Sequence, residues 1–341
     1  MKSYLEQLAE QRSLTEIEME AAVKHLFSEE VSDSEMAAFI IGLKIKGETV
    51  DEIIGLVNVM RKFALQFSKG IPNVIDNCGT GGDGSKSFNI SSTSAFVMAG
   101  AGITVAKHGN GSISSKTGSA DVLRYLGVNL NLSAAASEEI LDKIGISFLF
   151  APNVHPKVSR IMKVRKDLRI PTIFNLIGPL TNPIDLDYQL LGIYNRDALE
   201  LFAEVLQKLG RKRAVVLNGA GFMDEASLQG DNHLVIVDNG TITRKILHPE
   251  EVGLSVYSNS EIVGGDSEEN AEILMKVLKG EAGVYRDTVL LNAGIGIYTA
   301  QKAESIQQGI LLAKESIDSG AARSKLEQLI EQGKRYNQEV I

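Results

Sequence analysis

Apolar residues in the first seventy positions recur every three or four residues, in three segments that each follow a polar start signal. The signals have the spacing of a capping box and are Thr15 with Glu18, Ser32 with Glu35, and Thr49 with Glu52. The apolar positions that follow them are Met19, Ala22, Val23, Leu26, Phe39, Ile40, Leu43, Ile53, Ile54, Val57 and Met60. Because this spacing is typical of amphipathic helices, we predict three helices, the second of which ends at Gly47.

From Asn73 onward the pattern changes to short apolar runs that alternate with glycine-bearing turns and helical stretches. This alternation is typical of an α/β sheet. We predict strands at 74–76, 103–106, 147–150, 214–217 and 234–237, and helices at 91–99, 120–126, 137–144, 196–209, 270–278, 302–316 and 323–336. Ala293 to Ile297 is predicted to be a turn interrupted by glycines.

The helical segment is short, and its apolar faces need more partners than the segment itself supplies. We therefore expect it to pack on the rest of the chain or on a second copy, as a homodimer. The stretch from Pro171 to Pro183 holds three of the seven prolines and breaks both periodicities. We predict that the chain returns to the helical region there.

Composition and charge then exclude several classes of protein. The 341 residues are 44% hydrophobic and 23% charged, which is ordinary for a globular protein of one large or two smaller domains. A formal charge of -8 argues against a general nucleic-acid or membrane-surface binder. The single cysteine, Cys78, excludes an intrachain disulfide framework, and neither a signal sequence nor a transmembrane run is visible. These features predict a cytoplasmic protein.

The candidate chemistry lies between Asp76 and Leu126, where two loops rich in glycine and hydroxyl residues each precede a predicted helix. Glycines let backbone N–H groups approach an anion, and helix N-termini favour negative charge. The second loop, Lys107 to Ser119, crowds nine polar side chains into thirteen positions. An N-cap role explains Ser119 or Thr117 and leaves the others unexplained. The two loops together predict a polyphosphate site.

Two nucleotide-binding patterns match the first loop only in part. Gly79, Gly81 and Gly84 satisfy G-x-G-x-x-G, but the next strand ends in Lys107 and His108 where a dinucleotide fold needs an acid. Gly79 with Gly84 also has the outer spacing of a P-loop, but Ser85 interrupts the required Gly-Lys-Ser. A third alternative is a simple tight turn. The polar run from Asn89 to Thr93 at the start of an apolar helix speaks against it.

Five ordered motifs resemble the anthranilate phosphoribosyltransferase family of tryptophan biosynthesis over essentially the whole chain. They are GTGGDGSKSFNIS at 79–91, KHGNGSISSKTGSADVL at 107–123, APNVHPKVSRIMKVRKDL at 151–168, IFNLIGPLTNP at 173–183 and the element Met223-Asp224-Glu225. The resemblance implies an α/β fold with a small N-terminal helical domain, a large α/β domain with a central mostly parallel sheet, and homodimers. The implied boundaries are 1–70 with a segment near 165–190, against 71–164 and 191–341.

The reaction that the resemblance implies transfers the phosphoribosyl group of phosphoribosyl pyrophosphate to the amine of anthranilate and releases pyrophosphate. The negative charge that develops on pyrophosphate needs stabilisation, and Mg2+ provides it with few protein carboxylates. By resemblance, Mg2+ is held by Ser91, Asp224 and Glu225. The aromatic amine is neutral near pH 7, so no residue is assigned as a definite general base.

The resemblance also implies two sets of substrate contacts. For phosphoribosyl pyrophosphate they are Gly79, Gly82, Asp83, Ser87, Asn89, Ile90, Ser91, Ser92, Lys107, His108, Gly109, Asn110, Gly111, Ser112, Ile113, Ser114, Ser115 and Ser119. For anthranilate they are Gly79, His108, Asn110, His155 and Arg165, with Pro152 in the acceptor channel. An arginine suits the planar carboxylate because its guanidinium binds it in bidentate fashion.

The chain departs from the family at position 111, where Gly111 replaces the usual arginine and removes a cation beside the substrates. Ser87 and Ser92 replace common threonines and keep the hydroxyls. Three other functions stay open from the residues alone. They are a pyrimidine nucleoside phosphorylase, a related protein that binds a polyanion without the acceptor chemistry, and a helical dimerisation module with a vestigial site.

Overall fold

The computed structural model describes residues 1–28, 30–111 and 117–337, and its contacts divide the chain into two compact units. The helical unit contains Met1–Gln66 and Pro152–Pro183. The α/β unit contains Phe67–Ala151 and the chain from Ile184 onward. These limits differ from the predicted segment near 165–190: the returning stretch begins earlier, and the residues after Pro183 enter the sheet.

Local start signals define the helices of the helical unit. Its helices are α1 (Lys2–Ala9), α2 (Glu16–Leu26), α3 (Asp33–Lys46), α4 (Val50–Phe63), α9 (Ser159–Leu168) and α10 (Ile173–Leu176). All three predicted capping boxes form, with the N-cap hydroxyl and the glutamate each accepting a backbone N–H. Gly47 ends α3 as predicted, with a φ of 84°.

The returning segment is tied to the first helices by charge and by main-chain contacts. Arg160 and Lys163 of α9 both form ion pairs with Asp33, and Arg160 also donates to the carbonyls of Ser28 and Val31. The Leu65 N–H donates to the Val154 carbonyl at 2.8 Å. These long-range contacts, which no local pattern reveals, place residues 152–164 in the helical unit.

The α/β unit is built on a seven-stranded sheet in the order β3-β2-β1-β4-β5-β6-β7. The strands are β1 (Val74–Gly79), β2 (Thr104–Gly109), β3 (Ile146–Phe150), β4 (Tyr188–Gly192), β5 (Arg213–Asn218), β6 (Asn232–Asp238) and β7 (Thr241–Leu247). The first five are parallel, and β6 and β7 run antiparallel. The predicted fold class, helical domain plus mostly parallel α/β domain, is confirmed.

Helices on the sheet complete the unit. They are α5 (Ile90–Gly100), α6 (Ser119–Tyr125), α7 (Ala134–Ile144), α11 (Leu199–Lys208), α12 (Ser267–Leu278), α13 (Val284–Thr299), α14 (Ile306–Asp318) and α15 (Ala321–Asn337), while α8 (Ala151–Val154) lies at a unit boundary. One continuous core of buried apolar residues runs from Ile75 through α5 and α13 to Leu329. In the described part of the chain, no helix is long and apolar enough to cross a membrane.

One prediction about elements was wrong, and two strands were missed. Strand β4 was missed, although all five of its residues are buried between β1 and β5. Strand β7 was also missed, because most of its residues are exposed at the sheet edge and show no apolar face. Ala293 to Ile297 is not a turn but lies inside α13. Its glycines are there for packing, since a Cβ on Gly294 would lie 2.9 Å from the Ile310 nitrogen.

Candidate active site

Three glycines stand at the carboxyl ends of three neighbouring strands and form what we call the glycine crevice: Gly79 ends β1, Gly192 ends β4, and Gly219 follows β5. The chain leaves β1 toward β2 and β3 and returns to β4 on the other side, so the strand order reverses between β1 and β4. In open α/β sheets, ligands bind outside the strand ends at such a reversal. The fold therefore places a binding site at this crevice.

The main chain of Asp224 and Glu225 lies directly on the crevice, at a distance that only glycine permits. A Cβ on Gly79 would lie 2.7 Å from the Asp224 carbonyl oxygen, and one on Gly192 would lie 2.5 Å from the Asp224 carbonyl carbon. A Cβ on Gly219 would overlap the Glu225 carbonyl oxygen. None of the three has a positive φ, so close approach rather than backbone conformation requires the glycines.

Three carboxyl groups crowd this place. Asp224 accepts the Gly81 N–H at 2.6 Å, while Asp83 accepts the N–H and hydroxyl of Ser85 at 3.0 Å. Burial raises the pKa of Asp224 well above its usual range, and the charges of Asp83 and Glu225 add to this. Burial raises the pKa of Glu225 to about 7, although Lys107 and hydrogen bonds from Ser91 oppose the shift.

A cation would relieve that repulsion, so the residues fit a divalent metal with oxygen ligands. Of the predicted ligands, Ser91 lies within hydrogen-bonding distance of Glu225, and Asp224 is its sequence neighbour. Within residues 1–28, 30–111 and 117–337, no three His, Cys, Asp or Glu side chains are arranged to hold a metal alone. A metal with only two protein carboxylates takes its other ligands from water or substrate, as Mg2+ commonly does.

The first loop ends at the N-terminus of α5, which has no side-chain cap. Its N-cap residue, Asn89, makes no cap hydrogen bond. The buried Asn89 Oδ1 and Ser92 Oγ also lack hydrogen-bond partners within the described residues. The Ile90 N–H donates to the Phe88 carbonyl at 2.7 Å and the Ser91 N–H to Glu225, so the buried Ser92 hydroxyl is the donor at this helix start that suits a phosphate. Ser87 lies on the same loop, where its main chain bridges to Val263.

The second loop begins where β1 and β2 separate. The two described strands pair through their main chains only at Val74–Thr104 and Ile75–Val105. Beyond these pairs, the buried Asp76 carboxylate accepts the His108 N–H at 3.2 Å, and Lys107 Nζ donates to the Asn77 carbonyl at 2.7 Å. These bonds hold the Lys107 side chain and the His108 main chain at the strand end, and the Lys107 ammonium lies close enough to act on Glu225.

Further along this loop, α6 is capped differently from our expectation. Its N-cap is Gly118, whose N–H donates to Asp121 at 2.9 Å, so neither Thr117 nor Ser119 is the cap. The Ser119 hydroxyl instead donates to the Asn110 carbonyl at 3.1 Å and lies against Gly109. The predicted contacts Ser112, Ile113, Ser114 and Ser115 lie outside the described residues.

The predicted acceptor residues fall in both units. Gly79, His108 and Asn110 belong to the α/β unit, while Pro152, His155 and Arg165 belong to the helical unit. Arg165 is half-buried, its guanidinium lies 5.9 Å from the Phe174 ring, and burial lowers its pKa. No carboxylate among the described residues pairs with it. Burial also lowers the pKa of His155 to about 4, so this histidine is neutral at pH 7.

Two buried asparagines hold the segment 223–226, which carries Asp224 and Glu225, at the glycine crevice. The sequence did not single out either of them. Asn218 donates to the Met223 carbonyl at 3.4 Å, and the carbonyls of Ile193 and Tyr194 and the Nε of Arg196 fix its amide at 2.7, 3.2 and 2.8 Å. Asn292 of α13 binds both the N–H and the carbonyl of Ala226. A lone asparagine carries no local motif, so no sequence signal could have found either residue.

Comparison with known proteins places the chain in a family. The family described as "Glycosyl transferase family, a/b domain" matches residues 71–323, and its "helical bundle domain" matches residues 2–64. A relative from Bacillus cereus, named anthranilate phosphoribosyltransferase, is 57% identical over 97% of both chains.

Solved structures agree with the family match. Anthranilate phosphoribosyltransferase from Thermus thermophilus is 38% identical, with a TM-score of 0.92 over 97% of this chain and 99% of that one. The Saccharomyces cerevisiae enzyme, solved in complex with PRPP and Mg, is 24% identical with a TM-score of 0.90 over 98% and 97% of the two chains, and it supports the fold.

Proposed function

The chain belongs to the anthranilate phosphoribosyltransferase family, and we propose that it carries out the family's reaction with the residues gathered at the glycine crevice and with Arg165. It transfers the phosphoribosyl group of phosphoribosyl pyrophosphate to the amine of anthranilate and releases pyrophosphate, a step of tryptophan biosynthesis. The observation that supports the residue assignment is the N-terminus of α5, where Ser91 hydrogen-bonds to Glu225 among the crowded carboxyl groups of Asp83, Asp224 and Glu225.

Departure of pyrophosphate leaves negative charge where the two loops meet. The donors available to it are the Ser92 hydroxyl and the ammonium of Lys107, which uses one of its hydrogens for the Asn77 carbonyl. Mg2+, held by Ser91, Asp224 and Glu225 in this proposal, would neutralise part of that charge. The remaining predicted loop residues would fix the ribose and phosphate by main-chain and hydroxyl contacts, which contributes through positioning.

The acceptor needs orientation more than activation. An aromatic amine is neutral near pH 7, and neutral His155, with its lowered pKa, adds no charge to the acceptor site. Arg165 supplies a cation without a carboxylate partner among the described residues, which supports its assignment to the anthranilate carboxylate. We assign no general base.

The reaction itself is tested by following the loss of anthranilate fluorescence with phosphoribosyl pyrophosphate and Mg2+. Consumption that requires all three components is expected. Phosphorolysis of pyrimidine nucleosides without consumption of anthranilate would overturn the proposal. That alternative is not favoured by a 57% identical relative with the transferase name.

Arg165→Ala tests the acceptor site. We expect the KM for anthranilate to rise about 10- to 100-fold, since hydrogen bonds to charged groups are worth about 1.5–3 kcal/mol, with little change in the Kd of phosphoribosyl pyrophosphate. Lys166→Ala is the matched control, because Lys166 is the exposed neighbour on the same helix. Equal effects of the two substitutions would remove Arg165 from the site.

Assembly and location are parts of the same proposal. A homodimer through the helical unit is supported by two large apolar side chains on that unit, Ile17 and Ile45, which are 81% and 70% exposed. A cytoplasmic location is supported by the single free cysteine, Cys78.

A further inference from the structure

The predicted cation ligands Asp224 and Glu225 lie on a short irregular segment, and its position is set by residues outside that segment. Gly219 N donates to the Met223 carbonyl at 2.9 Å on one side of the pair. On the other side, Asn292 Oδ1 accepts the Ala226 N–H at 2.9 Å, and Asn292 Nδ2 donates to the Ala226 carbonyl at 2.8 Å. One side-chain amide thus satisfies both main-chain groups of the residue next to Glu225.

Asn292 is well suited to hold this position rigidly. It is 1% exposed, and its amide also donates to the Thr288 carbonyl of its own helix at 2.9 Å, which fixes the side-chain orientation. Its helix, α13, packs closely on two neighbours, because Gly294 contacts Ile310 and Gly296 contacts Met98 at distances that exclude a Cβ. Asn292 also lines one narrow internal space with Ser91, Gly192 and Glu225.

The glycine crevice also limits the position of the segment that carries Asp224 and Glu225. A Cβ at Gly192 would overlap the Asp224 main chain, which is backbone and cannot swing aside as a flexible side chain would. Alanine at this position therefore has to displace the segment or the end of β4. Asn292 therefore fixes the main chain next to Glu225, and Gly192 allows the main chain of Asp224 to lie against the end of β4.

We propose that Asn292 and Gly192 are positioning residues for the cation, which act on Asp224 and Glu225 without touching the cation themselves. This inference rests on the proposed function, in which these carboxylates hold Mg2+. Residues that orient metal ligands typically change metal affinity about 10- to 100-fold when they are replaced. We expect a loss of that size from Asn292→Ala and from Gly192→Ala.

The test measures binding by calorimetry, without turnover. Phosphoribosyl pyrophosphate is titrated into the full-length protein in EDTA and again in Mg2+, and the ratio of the two Kd values gives the gain due to the metal. Asn292→Ala and Gly192→Ala should each reduce that gain about 10- to 100-fold while the Kd in EDTA stays near native. The control is Asn129→Ala, which removes a similar amide contact, to the Gly333 carbonyl on α15, away from the crevice.

The outcomes separate the inference from the function on which it rests. Asp224→Asn should abolish the gain, and a native gain in that variant would overturn the metal assignment itself. If Asp224→Asn loses the gain while Asn292→Ala and Gly192→Ala keep it, the positioning roles alone are wrong. Asn292→Ala is compared with Gly192→Ala because the second removes no side-chain donor or acceptor and acts only by displacing the main chain, so a folding defect in the first still leaves a decisive variant. An equal loss in Asn129→Ala would show a general effect of stability and overturn the inference.

Discussion

Glu225 shows most directly how the fold changes the chemistry of a single residue. Burial raises its pKa to about 7 from a usual 4.5, so the folded protein binds this proton more tightly than the unfolded chain. That contribution to stability is complete below pH 4.5 and is lost as the pH rises through about 7. Without metal, the ionised side chain therefore weakens the fold at alkaline pH.

Glu225→Gln removes the titrating group, which gives a prediction about pH. In EDTA the variant should gain melting temperature relative to native protein as the pH rises from 5 to 8, and the direction follows from the raised pKa. The measurement is thermal unfolding at several pH values. Glu281→Gln, at an exposed glutamate, is the control and should show no such trend. A difference that does not vary with pH would contradict the prediction.

Gly111, the departure from the family pattern, is a second residue whose environment can be tested. Its φ is not positive, and within the part of the chain that the structure describes a Cβ there would meet only Asp121, at 3.6 Å, so these residues accommodate a side chain. We expect Gly111→Arg to fold and to lower the Kd of phosphoribosyl pyrophosphate by up to about tenfold, through one added charge-assisted contact. Gly111→Ala separates the effect of charge from that of the Cβ. Equal Michaelis constants for native and Gly111→Arg protein would contradict the predicted gain in affinity for phosphoribosyl pyrophosphate.

For single residues, the sequence predicted those with evident chemistry and missed the residues that hold them in position. Asp224 and Glu225 stand out by resemblance, and Lys107 by its polar loop. Asn292 and Gly192 lie far from them in the chain, inside an apolar helix and at the end of an unrecognised strand. Their roles exist only through tertiary contacts, which a single sequence does not display.

Among the elements, those whose limits are set locally were predicted best. The three capping boxes form as expected, since each needs only residues three positions apart. Strand β4 carries no alternation because it is buried on both faces, and its buried polar residue, Gln189, is satisfied by Arg211 Nε at 3.0 Å. Helix α13 was missed because glycine normally disfavours a helix interior.

Gly294→Ala is the sharpest test of why α13 contains glycine. Helix propensity alone predicts stabilisation by about 1 kcal/mol, but the new Cβ would lie 2.9 Å from the Ile310 nitrogen and 3.0 Å from its Cα. We therefore expect destabilisation by roughly 1–3 kcal/mol from overpacking, measured by urea unfolding. Gly70→Ala, with nothing near its Cβ, should stay close to native. A more stable Gly294→Ala protein would show that α13 and α14 can move apart at little cost.

For the molecule as a whole, the fold class and the return of Pro171 to Pro183 to the helical region followed from the sequence, whereas the earlier start of that return at Pro152 did not. Residues 152–164 belong to the helical unit because Arg160 and Lys163 reach Asp33, a pairing across the sequence. Assembly is equally invisible to a periodicity argument, since an exposed apolar side chain has the same sequence signature as a buried one.

The predicted homodimer is tested by sedimentation of the whole protein. At micromolar concentration we expect about twice the chain mass of 36.9 kDa. Combined Ile17→Lys and Ile45→Lys substitutions should shift it toward the monomer, because both remove exposed apolar surface on the helical unit. Leu311→Lys is the control, since Leu311 is 62% exposed on the α/β unit. A monomeric native protein would refute the prediction.

The strand order also determines when each strand can find its neighbour while the chain is being synthesised. A ribosome releases β1, β2 and β3 in sequence, and these can pair at once, but the other edge of β1 is filled only by β4. The intervening stretch, Pro152 to Pro183, goes to the helical unit. Until β4 emerges, the nascent sheet therefore presents an open edge at Ile75 to Gly79, and its unpaired main-chain groups invite wrong pairing. Slow translation across this stretch should prolong that exposure and make the unfinished chain a substrate for chaperones.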